Sequence, residues 1–209
     1  MSRIGIMGGT FDPIHLAHIE MARCAKEQKD LDKILFMPSK IPPHKRNRQI
    51  LPEELRGRMV QLAIETEEGF CYSDFELKRE EVTYTAKTLE LLKAQHPEDS
   101  FYFIMGGDSL FQFENWYMPE QILRYAVILA VSRDGVLQQN MEAKAWELSE
   151  RFHGKVQVLS MKEMDISSSM IREKIFRGES VQEYLPAKVY DFIRKNHLYM
   201  ADGNRENGY

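Results

Sequence analysis

Apolar residues along this chain fall into short unbroken runs separated by longer amphipathic stretches. The runs at 3–7, 31–38, 101–105, 126–131 and 156–159 have the length and continuity of strands buried on both faces. Residues 70–75 are expected to form a sixth strand. Between them the spacing turns helical. Ile19, Met21, Ala22 and Ala25 recur over 16–28, and Leu55, Met59, Leu62 and Ala63 share one face of a helix over 53–65. Helices are also predicted over 85–95, 142–152, 169–176 and 187–195. Two double glycines, Gly8-Gly9 and Gly106-Gly107, close strand runs and read as tight turns. Strands alternating with helices predict an α/β fold, a Rossmann-like doubly wound parallel sheet with helices on both faces. With no internal repeat or low-complexity linker, the expectation is a single domain over 1–200 followed by a loose polar tail over 201–209.

Composition narrows the function classes. Of 209 residues 43% are hydrophobic, enough for a sizeable core. The net charge of −4 argues against the broad basic surface of a nucleic-acid binder, but leaves room for a local cationic pocket. Cys24 and Cys71 make neither a zinc spacing nor a disulfide framework, and read as thiols in a reducing cytosol. No apolar run approaches the roughly 20 residues of a membrane span, and the chain starts straight into a strand pattern without a signal-peptide profile. The expectation is a cytoplasmic protein with no membrane or nucleic-acid partner. Homo-oligomerisation stays open.

The most informative stretch is Gly8-Gly9-Thr10-Phe11-Asp12-Pro13-Ile14-His15-Leu16-Ala17-His18. It joins a strand to a helix, where a doubly wound sheet binds ligands. Glycines let backbone approach a ligand, and a helix start offers N–H groups to an anion. His15 and His18, three apart, can share a helix face and follow charge developing on phosphoryl oxygens. The stretch is neither a P-loop nor a Gly-x-Gly-x-x-Gly fingerprint. Taken alone, two such histidines are more often an incidental pair. In this setting the string resembles the first signature of the nucleotidyltransferase superfamily that shares a His-x-Gly-His motif. Ala17 stands where that motif usually has glycine. The resemblance implies that Gly8, Gly9, Thr10, Phe11, His15 and His18 bind ATP, with His15 and His18 catalytic.

A second stretch, Asp165-Ile166-Ser167-Ser168-Ser169-Met170-Ile171-Arg172, follows the last strand and opens a helix. Helix capping accounts for one serine but not three, and not for Arg172. Hydroxyls, N–H groups and a guanidinium together suit a diphosphate. The stretch resembles the superfamily's Ile-Ser-Ser-Thr-x-Ile-Arg signature, with Ser169 in place of threonine. By that likeness Ile166, Ser168, Ser169 and Arg172 bind ATP, Arg172 being a third catalytic residue.

Five further stretches point to one branch. Pro42-Pro43-His44-Lys45 resembles the Pro-His-Lys loop of pyridine-nucleotide adenylyltransferases, and Thr83-Tyr84-Thr85-Ala86-Lys87-Thr88-Leu89 their Ser-Tyr-Thr-x-x-Thr-Leu segment. Gly106 and Asp108 match a Gly-x-Asp pattern near the ATP ribose. Trp116 matches a tryptophan that stacks on the pyridine ring, a role suited to a flat aromatic face. Arg133 matches a Val-x-Arg after a later strand. The chain from Ile4 to Tyr199 thus resembles the bacterial-type nicotinate-nucleotide adenylyltransferases. That likeness implies adenylyl transfer from ATP to nicotinate mononucleotide, giving deamido-NAD and pyrophosphate. His44, Lys45, Tyr84, Thr85, Trp116 and Arg133 would bind the mononucleotide. Mg²⁺ would be carried on ATP oxygens, with no protein metal ligand. Phosphopantetheine adenylyl transfer and a silent nucleotide-binding regulator are the competing readings.

Overall fold

The structure, a computed structural model, describes residues 1–40, 50–79, 82–132, 135–162 and 164–201. His44, Lys45 and Arg133, as well as residues 202–209 of the expected tail, lie outside them. Six strands form one parallel sheet: β1 (Arg3–Gly9), β2 (Lys33–Pro38), β3 (Phe70–Tyr72), β4 (Ser100–Gly106), β5 (Ala126–Ser132) and β6 (Val156–Ser160). Their order across the sheet is β3-β2-β1-β4-β5-β6, and every neighbouring pair is parallel. The chain therefore winds outward in one direction from β1 and then in the other from β4. That reversal opens a crevice between β1 and β4 at their carboxyl ends.

Side chains alternate across the sheet and build two cores. In β5, Leu129 and Val131 face one side, while Ile128 and Ala130 face the other. The first core is closed by α1 (Leu16–Gln28), α2 (Glu53–Ile64), α7 (Ser168–Phe176) and α8 (Ala187–Lys195). The second is closed by α3 (Thr85–Gln95), α4 (Gly107–Gln112), α5 (Pro119–Tyr125) and α6 (Gly135–Phe152). No described helix is long and apolar enough to cross a membrane.

Several expectations are corrected. Gly8 and Gly9 do not form a turn but end β1, pairing with Met37 and Pro38 of β2. Gly106 ends β4, and Gly107 begins α4 rather than a turn. None of these four has a positive φ; the left-handed residue in the first loop is Phe11, at 51°. The glycines matter for close approach instead: a Cβ on Gly9 would stand 3.1 Å from the Phe11 ring. Helices α4 and α5 were not anticipated, and α6 starts seven residues before the predicted position 142. The buried face of α2 is also turned, taking in Arg56 and Val60, while Leu55 and Leu62 are only partly buried.

Candidate active site

The loop leaving β1 delivers the first signature into the crevice. His15 is the N-cap of α1, in extended conformation, and its carbonyl accepts from the backbone of His18 at 2.9 Å. His15 is 3% exposed, and the half-buried His18 ring lies over it with centroids 3.7 Å apart. Phe11 packs edge-on against His18, with centroids at 5.2 Å. The backbone N–H of His15 donates to Nδ1 of His18 at 3.2 Å. A neutral imidazole that accepts at Nδ1 carries its proton on Nε2, so this contact assigns the tautomer in which His18 Nε2 is the donor. Phe11 is 2% exposed and its ring belongs to the core. Its ring edge supports the His18 ring.

The second signature meets the first directly. Ser167 caps α7 by accepting from the Met170 backbone at 3.2 Å. Ser168 donates its hydroxyl to the Pro13 carbonyl at 2.9 Å, and Arg172 donates to the Asp12 carbonyl at 2.6 Å. Segments some 155 residues apart are thus fastened at two adjacent carbonyls. Ser169 is exposed beside Ser167, with hydroxyls 3.1 Å apart. Ile166 is 6% exposed and packs in the core.

The opposite wall of the crevice comes from the ends of β4 and α3. A cavity of about 250 Å³ is lined by Gly8, Gly9, Thr10, Ser39, Phe103 and Trp116, with Glu76, Thr83, Thr85 and Thr88 among the rest. A second, of about 260 Å³, shares Thr83, Thr85 and Trp116 and adds Tyr84 and Tyr117. Trp116 is held by Phe103 and Phe113, at centroid distances of 5.9 and 5.6 Å. Tyr84 pairs with Tyr117 at 4.5 Å. Tyr84 is the N-cap of α3, so the first-turn N–H groups of that helix, which have no intrahelical acceptor, lie at this wall. Asp108 is exposed in the first turn of α4, at the carboxyl end of β4.

Beneath these groups lie residues that the sequence reading did not single out. Arg56 is 1% exposed and donates only to carbonyls: Thr10 at 2.7 Å, Ser39 and Leu51 at 2.9 Å, and Lys40 at 3.2 Å. Burial pulls its guanidinium below its ordinary pKa, and the charge of Asp12 opposes that. Asp12, 5% exposed, accepts from the Tyr199 hydroxyl at 2.7 Å and from the Leu51 backbone at 3.4 Å. Burial, then the Asp12 charge and the hydrogen bond to it, push the Tyr199 phenol far up, so it stays a donor. The one sequence signal for Arg56 was a charge three and four residues before the apolar Met59 and Val60.

Two imidazoles, a helix-borne arginine and serine hydroxyls stand on the loops and helices that follow β1 and β6, at the carboxyl end of the parallel sheet. Residues 6–174 match the cytidylyltransferase-like family. A probable nicotinate-nucleotide adenylyltransferase of Lachnoclostridium phytofermentans is 42% identical over 96% of this chain and 100% of its own length. One from Carboxydothermus hydrogenoformans is 39% identical over 95% and 98%. Among solved structures, the Plasmodium falciparum nicotinic acid mononucleotide adenylyltransferase complexed with NaAD superposes with a TM-score of 0.79 at 21% identity, covering 95% of this chain and 98% of that one. Within the cytidylyltransferase-like family, the chain belongs to the nicotinate-nucleotide adenylyltransferases.

Proposed function

We propose that the crevice transfers the adenylyl group of ATP to nicotinate mononucleotide, releasing deamido-NAD and pyrophosphate. The observation that carries this reading is the fastening of the two signatures. Arg172 on Asp12 and Ser168 on Pro13 bring a cationic helix start against the turn that presents His18. Membership of the nicotinate-nucleotide adenylyltransferases supports the choice of substrates.

An oxygen of the mononucleotide phosphate attacks the α-phosphorus of ATP. The bond from that phosphorus to the oxygen bridging toward the β-phosphate breaks, and its electron pair leaves with pyrophosphate. The nucleophile is already anionic near neutral pH, so the protein aligns reactants and offsets charge rather than removing a proton. His18, donating from Nε2 and backed by His15, follows charge on the transferring phosphoryl group. Ser169, Ser168 and Arg172 hold the leaving phosphates at the start of α7. Gly8, Gly9 and Thr10 form the floor of the site, and Gly106 with Asp108 takes the adenosine side. His44, Lys45 and Arg133 belong to the same proposal on the mononucleotide side.

Among the described residues no group of three His, Cys, Asp or Glu could hold a metal alone. A Mg²⁺ carried on ATP oxygens and water would offset phosphate charge. Trp116 offers its face to the pyridine ring. Beside it, the first-turn N–H groups of α3 at Tyr84 and Thr85 favour a ring carboxylate over a neutral amide. Both cysteines are free thiols, in keeping with action in a reducing cytoplasm.

The test is pyrophosphate release with ATP, Mg²⁺ and, in turn, nicotinate mononucleotide, nicotinamide mononucleotide and phosphopantetheine. Strong preference for the first is expected. Preference for either of the others would overturn the substrate, and release with none would overturn the activity.

A further inference from the structure

Thr83 and Thr85 of the wall formed by residues 83–85 line both cavities. Behind it lies Glu76, 9% exposed, in the segment that follows β3. Its Oε1 accepts the hydroxyl of Thr88, one turn into α3, at 2.7 Å. Arg79 donates to the same Thr88 oxygen at 3.3 Å. Thr88 is itself 2% exposed. A buried carboxyl is costly to bring out of water, so it is kept where its hydrogen bonds fix something. These contacts join the segment after β3 to the first turn of α3, and that turn carries Tyr84 and Thr85 at the cavity wall. Thr83, 6% exposed, lines both cavities, and its Oγ1 lacks a hydrogen-bond partner among the described residues. It lies close enough to Glu76 to favour a charged carboxylate, but outside hydrogen-bond geometry. A buried hydroxyl left without a partner at a cavity wall is a group that a polar ligand can satisfy.

We infer that Glu76 is a positioning residue for the acceptor substrate: its contact with Thr88 fixes the 83–85 wall and presents the Thr83 hydroxyl to the mononucleotide. It acts through that wall and not on the reacting phosphates. The inference rests on the proposed acceptor site, so wild-type turnover with nicotinate mononucleotide is established first, which tests that reading separately.

Glu76→Ala removes the brace. The expected result is a rise of about tenfold in KM for nicotinate mononucleotide, with KM for ATP and kcat within about twofold of wild type. Glu76→Gln, which keeps an oxygen for Thr88, is expected to recover most of that loss. Thr88→Val removes the same contact from the other side with little change of volume. It is expected to repeat the acceptor effect, and it replaces Glu76→Ala should that variant fail to fold. Equal rises in KM for both substrates would overturn the inference. So would a folded Glu76→Ala or Thr88→Val enzyme whose acceptor KM is unchanged, because a purely structural brace would alter stability alone.

Discussion

The guanidinium of Arg172 donates to the backbone carbonyl of Asp12 at 2.6 Å, joining residues 160 positions apart. The carboxylate of the same Asp12 receives the hydroxyl of Tyr199 at 2.7 Å. One short loop therefore ties together the turn after β1, the start of α7 and the chain beyond α8. A planar, forked donor suits this arrangement, since one nitrogen can stay on the carbonyl while the others face phosphate oxygens. Under the proposed function Arg172 thus has two roles, which substitution can separate.

Arg172→Ala should lower kcat/KM by about two to three powers of ten, because a charge-matched donor to the leaving phosphates is lost. It should also cost about 1–3 kcal/mol of stability by leaving the Asp12 carbonyl without its donor. Arg172→Lys keeps the charge and should recover part of the rate. Pyrophosphate-release kinetics beside urea melts read the two effects apart. Wild-type turnover in the alanine variant would remove Arg172 from the mechanism.

His18→Ala is expected to lower kcat by about two to three powers of ten while the fold survives, since His18 is only half-buried. His18→Asn is the sharper variant. Its side-chain carbonyl could accept from the His15 N–H in the place of Nδ1, but it lacks an imidazole Nε2. Near-normal kcat in either variant would sink the role given to His18.

Much of this architecture was legible in the chain, and the exceptions have physical causes. Buried parallel strands announce themselves as apolar runs, so β1, β2, β4, β5 and β6 were readable to within two residues at either end, whereas the strand expected over 70–75 stops at Tyr72, where Ser73 and Asp74 break the run. Helix α4 spans six residues and α5 seven, too short for a 3.6-residue period to accumulate. Pro119 at the first turn of α5 was the available signal. The signatures could be read as strings, whereas their fastening through Ser168 and Arg172 could not. Both hydrogen bonds end on backbone carbonyls, which have no sequence identity. The same holds for Arg56, whose partners are all main-chain oxygens. The pairing of Glu76 with Thr88 depends on how the segment after β3 returns to α3, and no local pattern encodes that.

Arg56→Met should be the most destabilising of these substitutions, by about 3–5 kcal/mol, because it strips donors from four carbonyls and leaves the buried Asp12 charge less compensated. Arg56→Lys should recover only part of this, since an ammonium cannot span carbonyls on Thr10, Ser39, Lys40 and Leu51 at once. Chemical denaturation monitored by far-UV circular dichroism gives the comparison. A methionine variant within about 1 kcal/mol of wild type would show that the guanidinium contributes little.

The remaining prediction concerns pH. Burial raises the Glu76 carboxyl above its usual range, opposed by the hydroxyls of Thr88 and Thr83 and by the charge of Arg79. A carboxyl raised in the folded state binds its proton more tightly there than in the unfolded chain. Its contribution to stability is therefore fully present below the unfolded value of about 4.3 and is lost as pH rises through the folded value. Glutamine cannot ionise, so Glu76→Gln should escape that loss. The melting temperature of Glu76→Gln relative to wild type should accordingly increase from pH 4 to pH 7, since ionisation is harder for the wild-type carboxyl inside the fold than in the unfolded chain. Thermal melts of the two proteins across that interval measure the difference directly. A difference that stays constant with pH would mean that Glu76 ionises as easily in the folded protein as in water, and that the surrounding threonines and Arg79 fully offset its burial.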